Sequence, residues 1–304
     1  MWRRGLVPAS LSLILGVVLA FHRLIPNVVG NLGSLVETFL PWFGWAILPL
    51  ALWAGLRKAP TAGIVLLIPT LVWALMYAEL LPDKSDGEGN LRVVTHNVGV
   101  SNPDPKDTVA TLVGSGADVV ALQEVSEEAQ GQYEKAMSAT YPHNMQQGTV
   151  SLWSKHPITD SGPVDIGIGW TRAIWAKIDT GKTQVAFYVA HLASVRVSSN
   201  GFASSQRDDT AEALGSAIAQ EELDAVVLLG DLNGTMQDRS LAPLAAQLDS
   251  TQAAAGEGFG FTWPAEFPMA RIDQILTRGV TPVSSWTLRA TGSDHLPAAA
   301  DLRV

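Results

Sequence analysis

The first 82 residues carry so few charges that they constrain the fold more than any other feature of the chain. Lysine and arginine occur in this stretch at Arg3, Arg4, Arg23, Arg57 and Lys58. Three apolar runs cover residues 6–21, 35–56 and 61–81. A bilayer core of about 30 Å needs ~20 apolar residues per helix, and the second and third runs reach that length. We therefore predict a transmembrane domain of three helices in residues 1–82.

The flanking charges predict how these helices are oriented. The first run is short and follows two arginines, as in a signal peptide, but no small-residue cleavage site precedes the next apolar run. Arg3 and Arg4 precede the first helix, and Arg57 and Lys58 lie between the second and third. By the positive-inside rule these stretches face the cytoplasm. Three crossings then predict that the linker, residues 83–90, and the domain formed by residues 91–304 lie outside.

The domain after the linker is acidic. Residues 91–304 contain 14 of the 20 lysines and arginines but 24 of the 29 aspartates and glutamates. Such a domain repels a polyanion, so the sequence disfavours nucleic acid as a partner. The chain also contains no cysteine, which excludes disulfides and thiolate metal sites.

From residue 91 onward, short β-branched runs alternate with turn residues and helical stretches. The predicted strands are residues 91–98, 118–125, 150–154, 172–178, 184–192, 225–232, 271–278, 283–288 and 298–304. The predicted helices are residues 106–115, 126–139, 205–221 and 239–248. Runs that are apolar on both faces indicate central strands covered on both sides. The pattern predicts a layered α/β domain with sheets packed face to face and helices outside.

Polar and charged side chains stand where the predicted strands end: Asn97, Glu124, His191, Asp231, Asn233, Asp273, Asp294 and His295. Taken alone, Asn97 is typical of a turn, and His191 could equally be a core histidine. Glu124 ends an apolar strand, where an unpaired carboxylate is costly, and this favours a metal ligand. Oxygen and imidazole donors without thiols favour Mg²⁺ or Mn²⁺ over structural zinc. These residues predict metal-assisted phosphoryl chemistry.

The order N…QE…HL…GDLN…RID…SDH resembles the endonuclease/exonuclease/phosphatase superfamily over about residues 91–304. This resemblance implies a DNase I-like four-layer α/β sandwich with its site at one rim. It implies metal ligands at Glu124, Asn97 and Asp294 for Mg²⁺ or Mn²⁺. It implies catalytic residues at Asp231, Asn233, His191, His295, Asp273 and Arg172.

The resemblance also implies roles for these residues. Asp231 orients or deprotonates the attacking water, and Asn233 holds that water or the phosphate. His191 and His295 bind phosphoryl oxygens, with His295 paired to Asp273. Arg172 faces the phosphate. Thr262 supports the site.

The three predicted spans joined to such a domain resemble the VanJ-type membrane phosphatases, which implies polyprenyl pyrophosphate as the substrate. The predicted partners are therefore a lipid-linked phosphate or pyrophosphate and the lipid bilayer. An extracellular metal-dependent nuclease and a phospholipid phosphodiesterase remain as alternatives, whereas an inactive scaffold requires loss of site residues. An apolar approach to the site is predicted from the loop residues Trp170, Phe202, Phe259, Phe261 and Phe267.

Overall fold

The computed structural model describes residues 5–28, 30–198 and 201–304. The chain forms two compact units. The helical unit comprises Met1–Pro82 and Val197–Ala203, and the sandwich unit comprises Asp83–Arg196 and Ser204–Val304. Arg3 and Arg4, on which the predicted orientation partly rests, lie outside the described residues.

The helical unit contains two helices that are long and apolar enough to cross a membrane, Leu6–Leu24 and Pro60–Leu80. Its α-helices are α1 (Leu6–Phe21), α2 (Leu32–Thr38), α3 (Ile47–Leu56) and α4 (Pro60–Tyr77), with 3₁₀ turns at His22–Leu24, Leu40–Ala46 and Ala78–Leu80. The predicted second span is not one continuous helix, because Leu32–Thr38 and Leu40–Leu56 meet at an angle of 71°. Pro41 lies at the start of the second piece and has no N–H to continue the helix. The described residues of this unit therefore offer two candidate spans, or three if the bent pair counts as one.

The sandwich unit contains two six-stranded sheets, whose strands are numbered along the chain. The first sheet comprises β1 (Leu91–Asn97), β2 (Val119–Gln123), β3 (His143–Gln147), β4 (Val150–Ser154), β13 (Thr281–Thr287) and β14 (Ala298–Arg303). The second comprises β5 (Ile158–Pro163), β6 (Ala173–Asp179), β7 (Gln184–His191), β10 (Val226–Asp231), β11 (Asp249–Ser250) and β12 (Asp273–Arg278). Their orders in space are β13-β14-β1-β2-β4-β3 and β11-β12-β10-β7-β6-β5. Two short strands, β8 (Arg196–Ser198) and β9 (Gly201–Ala203), pair separately.

The two sheets pack face to face, and apolar side chains such as Val93 and Phe187 fill the space between them. The remaining helices are α5 (Pro105–Gly114), α6 (Glu127–Met137), α7 (Ser205–Ala219), α8 (Ala242–Ala245) and α9 (Thr251–Ala255), with a 3₁₀ turn at Arg239–Leu241. Helices α5 and α6 bury apolar residues against the outer face of the first sheet. Helices α7 and α8 do the same on the second sheet. This arrangement confirms the predicted α/β sandwich.

All nine predicted strands match observed strands to within two residues at either end. The strands of the two six-stranded sheets that were not predicted, β3, β5 and β11, all lie at sheet edges, and the separate pair β8 and β9 was not predicted either. One backbone edge of an edge strand, and often one of its faces, is in contact with water. Strands β3 (HNMQQ) and β5 (ITDSGP) accordingly lack an apolar run. The predicted helix over residues 239–248 is divided into the 3₁₀ turn and α8.

The predicted linker is attached to the sandwich unit by backbone hydrogen bonds. The N–H of Asp86 donates to the carbonyl oxygen of Val283 at 2.8 Å, and the N–H of Asn90 donates to that of Leu302 at 2.8 Å. Residues 83–90 therefore follow the surface of β13 and β14 instead of forming the free tether that their Gly-containing, polar sequence suggests.

Candidate active site

Three neighbouring strands of the second sheet bring His191, Asp231 and Asp273 side by side. Strands β7 and β10 are parallel, and they end at His191 and Asp231, which are paired in register. Strand β12 is antiparallel to β10 and begins at Asp273, opposite Asp231. Gly230 lets β10 approach β7 closely, because a Cβ at this position would overlap the carbonyl oxygen of Ala190. The GDLN motif thus places Asp231 at the end of β10, where the carboxyl ends of β7 and β10 meet.

The first sheet contributes Asn97, at the end of β1, and Glu124, directly after β2, to the same end of the sandwich. The Nδ2 of Asn97 donates to Oδ2 of Asp231 at 3.0 Å, and its Oδ1 accepts the N–H of Gly99 at 3.0 Å. Glu124 follows β2 with φ of 59°, and its Oε2 accepts the N–H of Val100 at 3.2 Å. A positive φ is unfavourable for glutamate, and strain of this kind clusters at functional sites. The backbone thus fixes the Glu124 carboxylate at the rim.

Asp231 lies at the centre of the site and is only 1% exposed. Its Oδ1 accepts the N–H of Asn233 at 2.9 Å, in addition to the bond from Asn97 to Oδ2. Burial raises the pKa of Asp231 to about 7, with a further contribution from Asp273, although the nearby His295 acts in the opposite direction. A carboxyl group with such a pKa exchanges a proton near neutral pH, as a general base must.

His295 and Asp273 form a hydrogen-bonded pair in which Nδ1 and Oδ2 are 2.8 Å apart. The Nε2 of His295 lies 3.9 Å from Oδ2 of Asp231. Burial disfavours the imidazolium, but the charges of Asp273 and Asp231 outweigh it and raise the pKa of His295 to about 10. Burial likewise acts to raise the pKa of Asp273, yet His295 holds it below its ordinary value. His295 is therefore a cation at neutral pH, and it faces the central carboxylate.

His191 has the opposite character. Its Nε2 lies 3.6 Å from Oε1 of Glu124 and 3.6 Å from Oδ2 of Asp231. Both ring nitrogens are buried without a hydrogen-bond partner among the described residues. Burial, followed by the charge of Arg172, lowers the pKa of His191 well below its ordinary value. A neutral imidazole with unsatisfied nitrogens is thus positioned to bind a ligand between the two carboxylates.

Arg172 and Asn233 border the carboxylates from the second sheet. The Nη2 of Arg172 and the Nδ2 of Asn233 each donate to the carbonyl oxygen of Leu192, at 3.1 Å. The Nε of Arg172 is buried and has no partner among the described residues. Burial lowers the pKa of Arg172, whereas Asp231 and Glu124 raise it. A guanidinium in this position is suited to binding an anionic phosphoryl group.

The hard oxygen donors of the site fit a divalent cation at Glu124 and Asn97. The Glu124 side chain is 27% exposed, so a metal ion can reach its carboxylate from solvent. The Nε2 of His191 lies 3.6 Å from this carboxylate and 3.6 Å from the buried carboxylate of Asp231. Asp231, Asp273 and His295 also have potential ligand atoms within 4.8 Å of one another. There, Nδ1 of His295 is bonded to Asp273, so a cation would bind Nε2 of His295 in place of its proton. The rim position at Glu124 and Asn97 stays the predicted one.

Asp294, the third predicted ligand, lies beside His295. Its side chain is exposed, and Oδ2 accepts the indole N–H of Trp263 at 3.2 Å. Its charge contributes to the raised pKa of His295. Coordination of a metal by Asp294, Asn97 and Glu124 stays a prediction.

Two hydroxyl groups form hydrogen bonds with the backbone of site residues. The Oγ of Ser293 donates to the carbonyl oxygen of Asn97 at 2.7 Å and accepts the N–H of His295 at 3.1 Å. The Oγ1 of Thr262 accepts the N–H of Asp273 at 3.2 Å. Sequence reasoning named Thr262 but gave Ser293 no separate role, although it lies within the SDH motif.

Sequence reasoning missed Arg207, which holds the GDLN loop in place. This arginine of α7 is fully buried. Its Nη1 donates to the carbonyl oxygen of Asn233 at 2.5 Å, and its Nη2 donates to Oδ2 of Asp238 at 2.6 Å. An arginine in a predicted amphipathic helix ordinarily points to solvent. Its buried carboxylate partner, 31 residues further along the chain, carried no signal.

The model of the Endonuclease/Exonuclease/phosphatase family matches residues 94–295. This range includes every predicted site residue. No curated protein matches the chain significantly.

Solved structures with the same fold include three proteins with different names. Humanized TDP2 of D. rerio is 19% identical with a TM-score of 0.58, covering 70% of this chain and 99% of that one. Sphingomyelinase C from Streptomyces griseocarneus is 21% identical with a TM-score of 0.51, covering 69% and 98%. Beta toxin from Staphylococcus aureus with bound magnesium ions is 16% identical with a TM-score of 0.52, covering 69% and 99%. At these identities the likeness shows the fold alone.

Proposed function

The chain belongs to the endonuclease/exonuclease/phosphatase family, and we propose that it hydrolyses a lipid-linked phosphate or pyrophosphate at the outer face of a membrane. Members of this family are phosphoester hydrolases, so the chain is an enzyme of that class. The observation that carries the proposed mechanism is geometric: the buried carboxylate of Asp231 lies 3.9 Å from Nε2 of His295, whose Nδ1 is bonded to Asp273.

The described side chains divide the reaction between them. Asp231 accepts a proton from the attacking water. The His295 imidazolium, the neutral His191 and the Arg172 guanidinium donate hydrogen bonds to the phosphoryl oxygens, whose negative charge grows during attack. A divalent ion held by Glu124 and Asn97 would neutralise part of that charge. Water is the nucleophile in this scheme, so no covalent enzyme intermediate is expected.

The lipid-linked substrate is supported by the rest of the chain. In the same chain, the sandwich unit follows helices that are long and apolar enough to cross a membrane. A substrate confined to the membrane plane therefore reaches a high effective concentration, whereas the acidic sandwich unit repels a free polyanion.

The known structures with this fold differ in what their names describe. One is named a sphingomyelinase, and another is TDP2 complexed with a single-strand DNA product. The fold is therefore compatible with lipid and nucleic-acid substrates alike, and the choice has to be made by assay.

The proposal is tested by comparing substrates on the full chain in liposomes. Initial rates with Mg²⁺ are measured on polyprenyl pyrophosphate, on a phospholipid and on double-stranded DNA, with Asp231→Asn protein as the background. We expect the fastest hydrolysis on polyprenyl pyrophosphate. Efficient degradation of DNA with no release of phosphate from the lipid would replace the proposal with a nuclease, and cleavage of the phospholipid head group would replace it with a phosphodiesterase.

The predicted orientation places residues 83–304 outside. A reporter enzyme that is active only in an extracytoplasmic compartment, fused after Val304, is expected to be active. The same fusion with a reporter active only in the cytoplasm is expected to be silent. The reverse pattern would place the site inside the cell and redirect the search to cytoplasmic phospholipids or nucleotides.

The pH profile is expected to have two limbs. The rate kcat/KM should rise with pH through about 7, as Asp231 loses its proton, and fall above about 10, as His295 loses its own. The measurement uses a soluble phosphate ester with the metal saturating at each pH. An acidic limb that survives in Asp231→Asn protein would assign that limb to another group.

A further inference from the structure

Among the described residues of the sandwich unit, three large apolar side chains are exposed: Val100, Trp170 and Phe267 are 60%, 53% and 63% accessible. Single exposed apolar residues are normal on a protein surface. These three, however, come from three separate loops, and each loop contacts a residue of the active site. We call them the apolar rim.

Val100 borders the predicted metal site directly. It lies in the loop between β1 and α5, and its own N–H donates to Oε2 of Glu124 at 3.2 Å. The side chain of Val100 therefore belongs to the same residue whose N–H holds this carboxylate.

Trp170 borders the phosphate-binding side. Its ring lies 5.3 Å from the guanidinium carbon of Arg172. That guanidinium acts electrostatically on both Asp231 and Glu124. A tryptophan with an apolar body and a polar N–H is the side chain typical of membrane–water interfaces.

Phe267 borders the His295 side. It closes a turn in which its N–H donates to the carbonyl oxygen of Pro264 at 3.1 Å. In the same turn the N–H of Ala265 donates to the carbonyl oxygen of Asp294 at 2.7 Å. The turn carrying Phe267 is thereby attached to the residue that precedes His295.

The other loop aromatics that the sequence suggested do not share this exposure. Phe259 and Phe261 stack on each other, with centroids 5.1 Å apart and planes 7° from parallel. Phe202 is buried at 8% and belongs to the helical unit. Among the described residues of the sandwich unit, the large exposed apolar side chains thus all lie on loops that contact residues of the site.

We propose that the apolar rim docks the mouth of the active site onto the interfacial region of a phospholipid bilayer. The three side chains lie on separate loops, each of which contacts a residue of the site, and this suits shallow insertion into a lipid surface at several points. The acidic charge of the unit offers no attraction to anionic lipid, so apolar burial supplies the contact. The advantage to catalysis, though not the contact itself, rests on the proposed lipid-linked substrate.

The absence of cysteine in the sequence allows a direct test of the contact. Full-length Phe267→Cys and Val100→Cys proteins, each carrying a fluorophore at the new thiol, are reconstituted in phosphatidylcholine liposomes containing lipids with a quencher in the upper acyl chain. Lys182→Cys is the matched control. Lys182 is exposed in the turn before β7, at the end of that strand opposite His191.

We expect lipid quenching of the labels at positions 267 and 100 to exceed that at position 182 by severalfold. The two rim positions lie on separate loops, so misfolding of one variant leaves the other as a test. Equal quenching at all three positions would overturn the proposed docking.

A second measurement connects docking to turnover. In Phe267→Ser protein, the rate on a lipid-embedded substrate relative to that on a soluble phosphate ester is expected to fall about tenfold, since a buried phenylalanine contributes strongly to interfacial binding. Lys182→Ser protein is expected to keep the wild-type ratio. Quenched rim labels without hydrolysis of the lipid would support the docking and refute the proposed substrate. Lipid hydrolysis without rim quenching and with an unchanged ratio would refute the docking and keep the substrate.

Discussion

Replacing Asp231 with asparagine is expected to lower turnover by roughly 10²–10⁴-fold, the usual contribution of a general base. The substitution keeps the shape of the side chain but removes the group that accepts the proton from water. His295→Ala is expected to cost a similar factor, because it removes the cation that faces the phosphoryl oxygens. Initial rates on a soluble phosphate ester measure both effects, and the unfolding midpoint shows whether each variant is folded.

The double variant separates a shared step from two independent ones. Asp231 and His295 approach within 3.9 Å and act on the same displacement, so their combined loss should be far smaller than the product of the single losses. Asp160→Asn, at an exposed position on β5, serves as the matched control and should retain full activity. Loss of the full product in the double variant would show that the two residues act in separate steps.

The two histidines show where sequence reasoning reaches its limit. Both were predicted to bind phosphoryl oxygens, and the structure places both beside Asp231. Their charge states differ, because His295 contacts a second buried carboxylate, Asp273, whereas His191 is buried near Arg172. Such neighbours come from distant parts of the chain, so a motif identifies the histidine but does not show whether its imidazole is charged.

The strand-end residues were predictable for a topological reason. In two parallel pairs, β1 with β2 and β7 with β10, carboxyl ends meet at one edge, so polar residues that follow apolar runs converge there. Asn97, Glu124, His191 and Asp231 all follow this rule.

Features that depend on tertiary contacts were not predictable. The buried pair of Arg207 and Asp238 supports the GDLN loop through atoms that no local pattern indicates. Similarly, the apolar run 35–56 has the composition of one span, but the chain bends by 71° within it, before Pro41. Hydropathy averages over such a bend because it measures composition and not direction.

Loss of the metal site is expected to be as severe as loss of the base. Glu124→Ala removes a hard oxygen donor from the rim, and we expect at least about a 10³-fold loss of turnover, since a metal ion contributes several kcal/mol to stabilisation of the charged transition state. The fold should persist, because the Glu124 side chain is 27% exposed and not part of the core. Glu134→Ala, at an exposed position on α6, is the matched control.

Metal titration distinguishes a ligand from a residue that acts in some other way. In excess EDTA the wild-type enzyme is expected to lose its activity and to regain it when Mg²⁺ or Mn²⁺ is restored. Glu124→Gln keeps a neutral oxygen donor, so it should need a higher metal concentration for half-maximal rate. Asp231→Asn should instead keep the wild-type metal requirement and have a lower rate even at saturating metal. Full activity of the wild-type chain in EDTA would refute the metal-dependent mechanism, and an unchanged metal requirement in Glu124→Gln would move the metal away from Glu124, toward Asp231, Asp273 and His295.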